Sequence, residues 1–269
     1  MSIAQLDLPN RLQLAVQSAV ATGKRTLEYF QRADLAVDRK SDDSPVTIAD
    51  RQAEQLLREA ILAAYPDDGF IGEEFGEVKG SSELVWVVDP IDGTKSFICG
   101  VPTYSTLIGL LWRGESVAGV IHLPALDECV FAAKGVGAFF RFRGRERPAR
   151  VSDRVKLASG VFLTSQVDSF AKRGASGVFD ALQQRASITR TWGDGYGYSL
   201  VATGRADVMV DPEMHLWDAA AIQPILQEAG GTFTDWQGNP SVSKGEGIAT
   251  NGHMLEEVLE ITRSYPRRS

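Results

Sequence analysis

Cysteine is nearly missing from this 269-residue chain: Cys99 and Cys129 are the only two, and no C-x-x-C spacing links them. That count excludes a disulfide framework and a zinc knuckle, and it fits a reducing compartment. Histidine is almost as scarce. His122, His215 and His253 lie far apart in sequence, so any metal site must be built from carboxylates, which suits a hard ion such as Mg²⁺. Basic charge is in deficit, with 28 Lys and Arg against 35 Asp and Glu and a formal net charge of −7, which disfavours nucleic acid and anionic lipid as partners. No apolar run approaches the roughly 18 residues of a membrane span. Asp7, Arg11 and Gln13 interrupt the stretch where a leader would need its apolar segment. A cytoplasmic protein is the expectation.

What remains is a balanced composition, 43% hydrophobic and 23% charged, that predicts a soluble globular chain of one large or two modest domains. Leu12, Val16, Ala19, Leu27 and Phe30 recur at helical spacing and predict a helix over 10–33. A second amphipathic helix is expected over 47–64, ended by Pro66-Asp67-Asp68-Gly69. The valine-rich run Leu84–Val88 and the segments 105–112, 116–123 and 129–133 read as strands joined by short turns. From about residue 160 the texture alternates: strands over 161–164, 187–191 and 206–210, helices near 178–185, 196–203 and 217–229, then Gly230-Gly231 and another strand. An α+β half over 1–145 and an α/β half over 146–269 follow. Between them Arg141, Arg143, Arg145, Arg147 and Arg150 predict an exposed hairpin with its arginines on one face and Phe140 and Phe142 on the other. Pro224 should kink the 217–229 helix.

The informative segment is Val85-Trp86-Val87-Val88-Asp89-Pro90-Ile91-Asp92-Gly93-Thr94-Lys95. An apolar strand delivers two acids, three residues apart, where Pro90 and Gly93 turn the chain. Carboxylates at the end of a buried strand repel each other and lose solvation, so they call for a cation between them. Gly93-Thr94 supplies backbone N–H groups at a helix start, a place suited to phosphate. Gly72-Glu73-Glu74 lies upstream, and Trp217-Asp218-Ala219 opens an apolar helix downstream. Together Glu73, Asp89, Asp92 and Asp218 offer an oxygen-only set of the kind Mg²⁺ accepts. Other schemes lack their signatures: no GxxxxGK[ST], no GxSxG, and an Asp89-to-Asp92 spacing one residue too long for D-x-D.

The ordered trio of GEE at 72–74, DPIDGT at 89–94 and WDAAA at 217–221 resembles the inositol monophosphatase superfamily of metal-dependent phosphatases. Asp43–Asp50 resembles its early T-x-x-D helix, Lys134–Phe139 its G-x-GAF turn and Leu200–Gly204 its late helix end, so the likeness covers nearly the whole chain. The resemblance implies an α/β fold layered αβαβα, with the site in the cleft between the halves. It implies two or three Mg²⁺ ions on Glu73, Asp89, Asp92, Asp218 and the Ile91 carbonyl. Glu73 and Thr94, with Asp50 hydrogen-bonded to Thr94, would activate a water, and the Gly93 and Thr94 N–H groups would receive phosphate. A homodimer is also implied.

Lys95-Ser96-Phe97 stands where the inositol-type members continue T-N-F, and Trp192-Gly193-Asp194-Gly195-Tyr196-Gly197-Tyr198 is similar to the W-G-D-x-Y-G-Y of the histidinol-phosphate phosphatase branch. That branch implies hydrolysis of L-histidinol phosphate in histidine biosynthesis, with Asp92, Gly93, Thr94, Asp194 and Asp211 binding substrate. Acids beside the leaving group suit its amino group and imidazole. Inositol-1-monophosphatase, or a broader sugar or nucleotide phosphatase, is the alternative. A catalytically silent metal- and phosphate-binding sensor is a third reading, against which the intact acid set argues. Residue by residue, 192–198 also reads as a glycine-rich turn with Asp194 as N-cap and two packed tyrosines. His122 reads as a satisfied sheet-end histidine, and His215 and Trp217 as packing beneath the site.

Overall fold

The computed structural model describes residues 6–41 and 44–265. Asp43, which opens the early motif, lies outside the described residues. Helices α1 (Leu8–Leu27) and α2 (Ile48–Ala64) are separated by an antiparallel pair, β1 (Val37–Arg39) and β2 (Pro45–Thr47). Leu12, Ala15, Val16 and Ala19 of α1 and Leu57 and Ile61 of α2 are buried at helical spacing. α1 ends at Leu27, short of residue 33. Gln31 takes a left-handed conformation (φ 61°), and Phe30 leaves the helical path to pack on Phe97 and Tyr104, with ring centroids 5.7 and 5.1 Å away.

The first sheet contains β3 (Gly69–Gly72), β4 (Gly76–Val78), β5 (Leu84–Asp92), β6 (Ser105–Trp112), β7 (Glu115–Leu123), β8 (Glu128–Ala133), β9 (Gly137–Phe142) and β10 (Arg145–Pro148). Their spatial order is β10-β9-β8-β7-β6-β5-β3-β4. It is antiparallel except where β3 runs parallel to β5. A short helix, α3 (Thr94–Ile98), follows β5 directly. The expected boundary at 145/146 falls inside β10, which pairs with β9. The arginines are not gathered on one face of this hairpin. Opposite residues share a face, and Arg145 opposes Phe142 while Arg147 opposes Phe140; Arg141 faces Glu146 and bonds it at 2.8 Å. The two-residue turn Arg143-Gly144 resets the alternation, so the guanidinium of Arg147 lies 4.9 Å from the Phe140 ring centroid.

The second sheet is built from β11 (Val161–Leu163), β12 (Ile188–Arg190), β13 (Val208–Asp211), β14 (Thr232–Thr234) and β15 (Gly247–Thr250), in the order β12-β11-β13-β15-β14. Between its strands run α4 (Val167–Lys172), α5 (Ser176–Arg185), α6 (Asp194–Ala202), α7 (Leu216–Ala219) and α8 (Ile222–Glu228), and α9 (Leu255–Thr262) closes the chain's described part. Three apolar cores fix the layers. α1 and α2 pack on one face of the first sheet, α6 and α8 lie between the sheets, and α4, α5 and α9 cover the far face of the second. This is the expected αβαβα sandwich.

The helix expected over 217–229 is broken into α7 and α8 at Ala220-Ala221. Pro224 has no N–H for the Ala220 carbonyl, and the Ser116 hydroxyl of β7 donates to that carbonyl instead. The break rests on paired glycines: a Cβ on Gly109 would stand 2.7 Å from the Ala220 Cβ, and one on Gly119 would run into the Ala221 carbonyl.

Candidate active site

Asp89 and Asp92 are three residues apart in β5, and a regular strand would point them to opposite faces. The register of β5 against β6 slips between them: Asp89 opposes Leu107 and Asp92 opposes Ser105, so two residues face one. This β-bulge turns Asp92 to the face of Asp89, toward the layer that carries α7. Pro90 donates no ladder bond, and its carbonyl accepts from the Thr106 hydroxyl at 2.9 Å. Asp218 sits in the first turn of α7 and accepts the His215 N–H at 2.7 Å. The three carboxylates thereby present ligand atoms within 4.8 Å of one another.

Burial, with Glu73, Asp92 and Asp218 beside it, raises the proton affinity of Asp89 well above the usual carboxylate range. Burial raises Asp92 likewise, helped by Asp194 and Asp218. Asp218 is pushed up to about 7, again first by burial. Neither nearby ammonium bonds these three carboxylates: Lys40 bridges Glu73 (2.7 Å) and Glu74 (2.6 Å), and Lys95 reaches Gln166 at 2.5 Å. Three crowded acids with oxygen donors only, Asp89 and Asp92 buried and Asp218 half-buried, fit a hard divalent cation, which would relieve both their repulsion and their lost hydration.

Glu73 lies against Asp89 at the end of β3. Its loop is held from α2, where the buried Glu54 accepts the N–H groups of Glu74 (2.6 Å) and Phe75 (2.9 Å). Gly93, with φ 79°, caps α3, and Gly93, Thr94, Lys95 and Ser96 line a cleft of about 740 Å³ together with the acids. Thr94 does not bond Asp50. Its hydroxyl donates to the Ile91 carbonyl at 3.1 Å, and Asp50 is the capping-box acid of α2, accepting the N–H (2.8 Å) and hydroxyl (2.6 Å) of Thr47. Burial pushes Asp50 up to about 6, and it does not line the cleft.

The opposite wall is the segment Thr191–Gly195. Asp194 is not the N-cap of α6; Gly193 is, and Asp194 occupies the left-handed region at φ 56°, which an aspartate tolerates better than most residues. Its N–H donates to the Ser165 hydroxyl at 2.9 Å, and a Cβ on Gly93 would stand 2.7 Å from its Oδ2, so this carboxylate abuts the phosphate-suited turn. Burial and Asp211 push Asp194 up to about 6, with Lys95 acting in the other direction. Asp211 lines the cleft but is already engaged. It accepts from the Thr164 hydroxyl (3.1 Å), the Ser165 N–H (2.8 Å) and hydroxyl (2.9 Å), and the Tyr198 hydroxyl (2.8 Å). It therefore holds the wall rather than presenting a free carboxylate.

Trp217 packs, partly buried, against the core between the sheets as expected, whereas His215 does not pack beneath the site. They stack with centroids 4.7 Å apart and line the cleft, His215 exposed. His122 is buried, its Nδ1 3.2 Å from the Glu128 carbonyl, and burial pulls it down to about 4. Sequence reading missed Lys40, Glu54 and Ser105. Glu54 carried a signal, since it falls one turn after Asp50 on the buried face of α2; Lys40 and Ser105 carried none.

The fold and the carboxylate-lined cleft define a metal-dependent phosphatase, and comparison with known proteins agrees. The profile of the inositol monophosphatase family matches residues 7–267. The chain belongs to that family of phosphoric monoester hydrolases. It is 44% identical to the histidinol-phosphatase of Chlorobaculum parvum over 248 residues, 92% of this chain and 94% of that one. It is 39% identical to the histidinol-phosphatase of Mycobacterium tuberculosis over 250 residues, 92% of this chain and 96% of that one. The solved Thermotoga maritima IMPase superposes with a TM-score of 0.85 at 30% identity, over 95% of this chain and 98% of that one.

Proposed function

We propose that this chain is a Mg²⁺-dependent phosphomonoesterase that hydrolyses L-histidinol phosphate to L-histidinol and phosphate. The observation that carries the reading is Asp194, a carboxylate set against Gly93 at the wall of the cleft. A phosphate received by the Gly93 and Thr94 N–H groups would place its alcohol portion toward that wall, where an ammonium finds a charged partner. An uncharged polyol gains less from it. The similarity to histidinol-phosphatases supports the same choice.

Glu73, Asp89, Asp92, Asp218 and the Ile91 carbonyl would hold Mg²⁺, which supplies positive charge for the phosphoryl oxygens and makes water more acidic at neutral pH. The protein's own residues do the rest. Glu73, standing between Asp89 and Lys40, orients the attacking water. Thr94 keeps its hydroxyl on the Ile91 carbonyl and so fixes the turn that receives phosphate. Asp211 holds Ser165 and Tyr198 in place behind Asp194, and Asp50 fixes the start of α2. A homodimer in the cytoplasm goes with this reading, supported by the family resemblance alone. Phosphate release in Mg²⁺ from L-histidinol phosphate, set beside inositol 1-phosphate, tests the function. Preference for the first is expected, and equal efficiency would refute the substrate.

A further inference from the structure

Ser105 is fully buried in β6, opposite Asp92 across the bulge. Its hydroxyl donates to Asp92 Oδ2, and the Gly195 N–H donates to the same oxygen at 2.6 Å. Oδ1 receives no hydrogen bond among the described residues. Two donors on one oxygen fix the plane of the carboxylate and leave the other oxygen for a cation. The donors are neutral, so they orient Asp92 without the competing charge that a lysine or arginine would bring. Gly195 is confined by this arrangement: a Cβ there would run into the Ser105 hydroxyl and stand 2.8 Å from Asp92 Oδ2. The preceding residue is Asp194, whose own N–H is held by Ser165.

We infer that Ser105 is a positioning residue that sets Asp92 for the metal and, through the oxygen it shares with Gly195, ties the metal site to the loop that carries Asp194. The inference rests on Asp92 being a metal ligand, as the proposed function has it. Whatever steadies Asp92 steadies the Gly195 N–H, and by linkage a loop held in place favours the ligand geometry of Asp92. Residues that orient metal ligands cost about 10–100-fold in metal affinity when removed.

Calorimetric titration of the metal-free full-length protein with Mn²⁺, for the wild type, S105A, S105C and D92N, tests this. S105A should bind Mn²⁺ about tenfold more weakly, with S105C between it and the wild type because a thiol is a poorer donor. Hydrogen exchange over residues 193–197 should slow when Mn²⁺ is added to the wild type, and slow much less in S105A, an effect that a merely space-filling serine would not produce. If S105A binds within twofold of the wild type while D92N is weakened, the positioning role is overturned and the site reading stands. If D92N also binds like the wild type, Asp92 is not a ligand, and the inference falls with that assignment. Should S105A fail to fold, S105C decides alone: severalfold weakening is expected, and unchanged affinity overturns the role.

Discussion

Asp194 and Asp211 illustrate how little residue type says about role. Both are aspartates of the cleft wall, yet Asp211 is occupied by four donors from three residues, while Asp194 is placed by its backbone and leaves its carboxylate against Gly93. Only the second can meet a cationic substrate. D194N keeps the shape and the tolerance for a left-handed backbone, and removes the charge. It should lower kcat/KM for L-histidinol phosphate by about tenfold or more, as loss of a charge-assisted hydrogen bond does. Glycerol 2-phosphate, which has no cationic group, should change by less than about twofold on that account. Equal losses on both esters would make Asp194 a structural residue.

At the scale of elements, two irregularities build the site. The bulge at Pro90-Ile91 turns Asp92 to the face of Asp89, and the break between α7 and α8 lets the end that carries Asp218 approach β6 and β7 over Gly109 and Gly119. G119A should destabilise the protein by about 1–3 kcal/mol through overpacking, and should weaken divalent-cation binding because the α7–α8 junction is pushed outward. Thermal melting and calorimetry check this; an unshifted melt would show that the junction does not need the close approach.

Much of this organisation was legible in the sequence. Helical spacing in α1 and α2, alternation in the meander and the β/α rhythm of the second half predicted the elements, because these are local patterns; the αβαβα layering and the meeting of Asp89, Asp92 and Asp218 followed from the family resemblance, since no spacing encodes them. The end of α1 was not, since Phe30 is drawn away by a tertiary cluster with Phe97 and Tyr104. The faces of the arginine hairpin were misread because the turn resets the alternation. Asp50 was misassigned although Thr47-x-x-Asp50 has the capping-box spacing, and Thr94 likewise bonds only three residues back, to Ile91. The role of Ser105 depends on contacts between segments that no spacing encodes.

For the whole molecule, the cleft stores unfavourable charge when no cation is present. Asp89, Asp92, Asp194 and Asp218 all have proton affinities raised first by burial, Asp194 to about 6 and Asp218 to about 7. Between about pH 4 and 7 the unfolded chain has released these protons and the folded chain has not, so stability falls as pH rises through that window. His122, pulled down to about 4 by burial, acts in the opposite sense between about 6.5 and 4, but it is one group against four. The metal-free protein should therefore melt at a lower temperature at pH 8 than at pH 5.5, and Mg²⁺ should raise the melting temperature more at pH 8. A Mg²⁺ effect independent of pH would contradict the acid cluster as its binding site.

The most direct measurement is the ratio of kcat/KM for L-histidinol phosphate to that for inositol 1-phosphate, taken with Mg²⁺ on the wild-type protein, because that ratio reports differential transition-state binding. The account predicts a preference of several-hundred-fold, about 3.5 kcal/mol, for the cationic ester. Comparable values for the two would contradict it, leaving the metal chemistry without the selectivity assigned to Asp194.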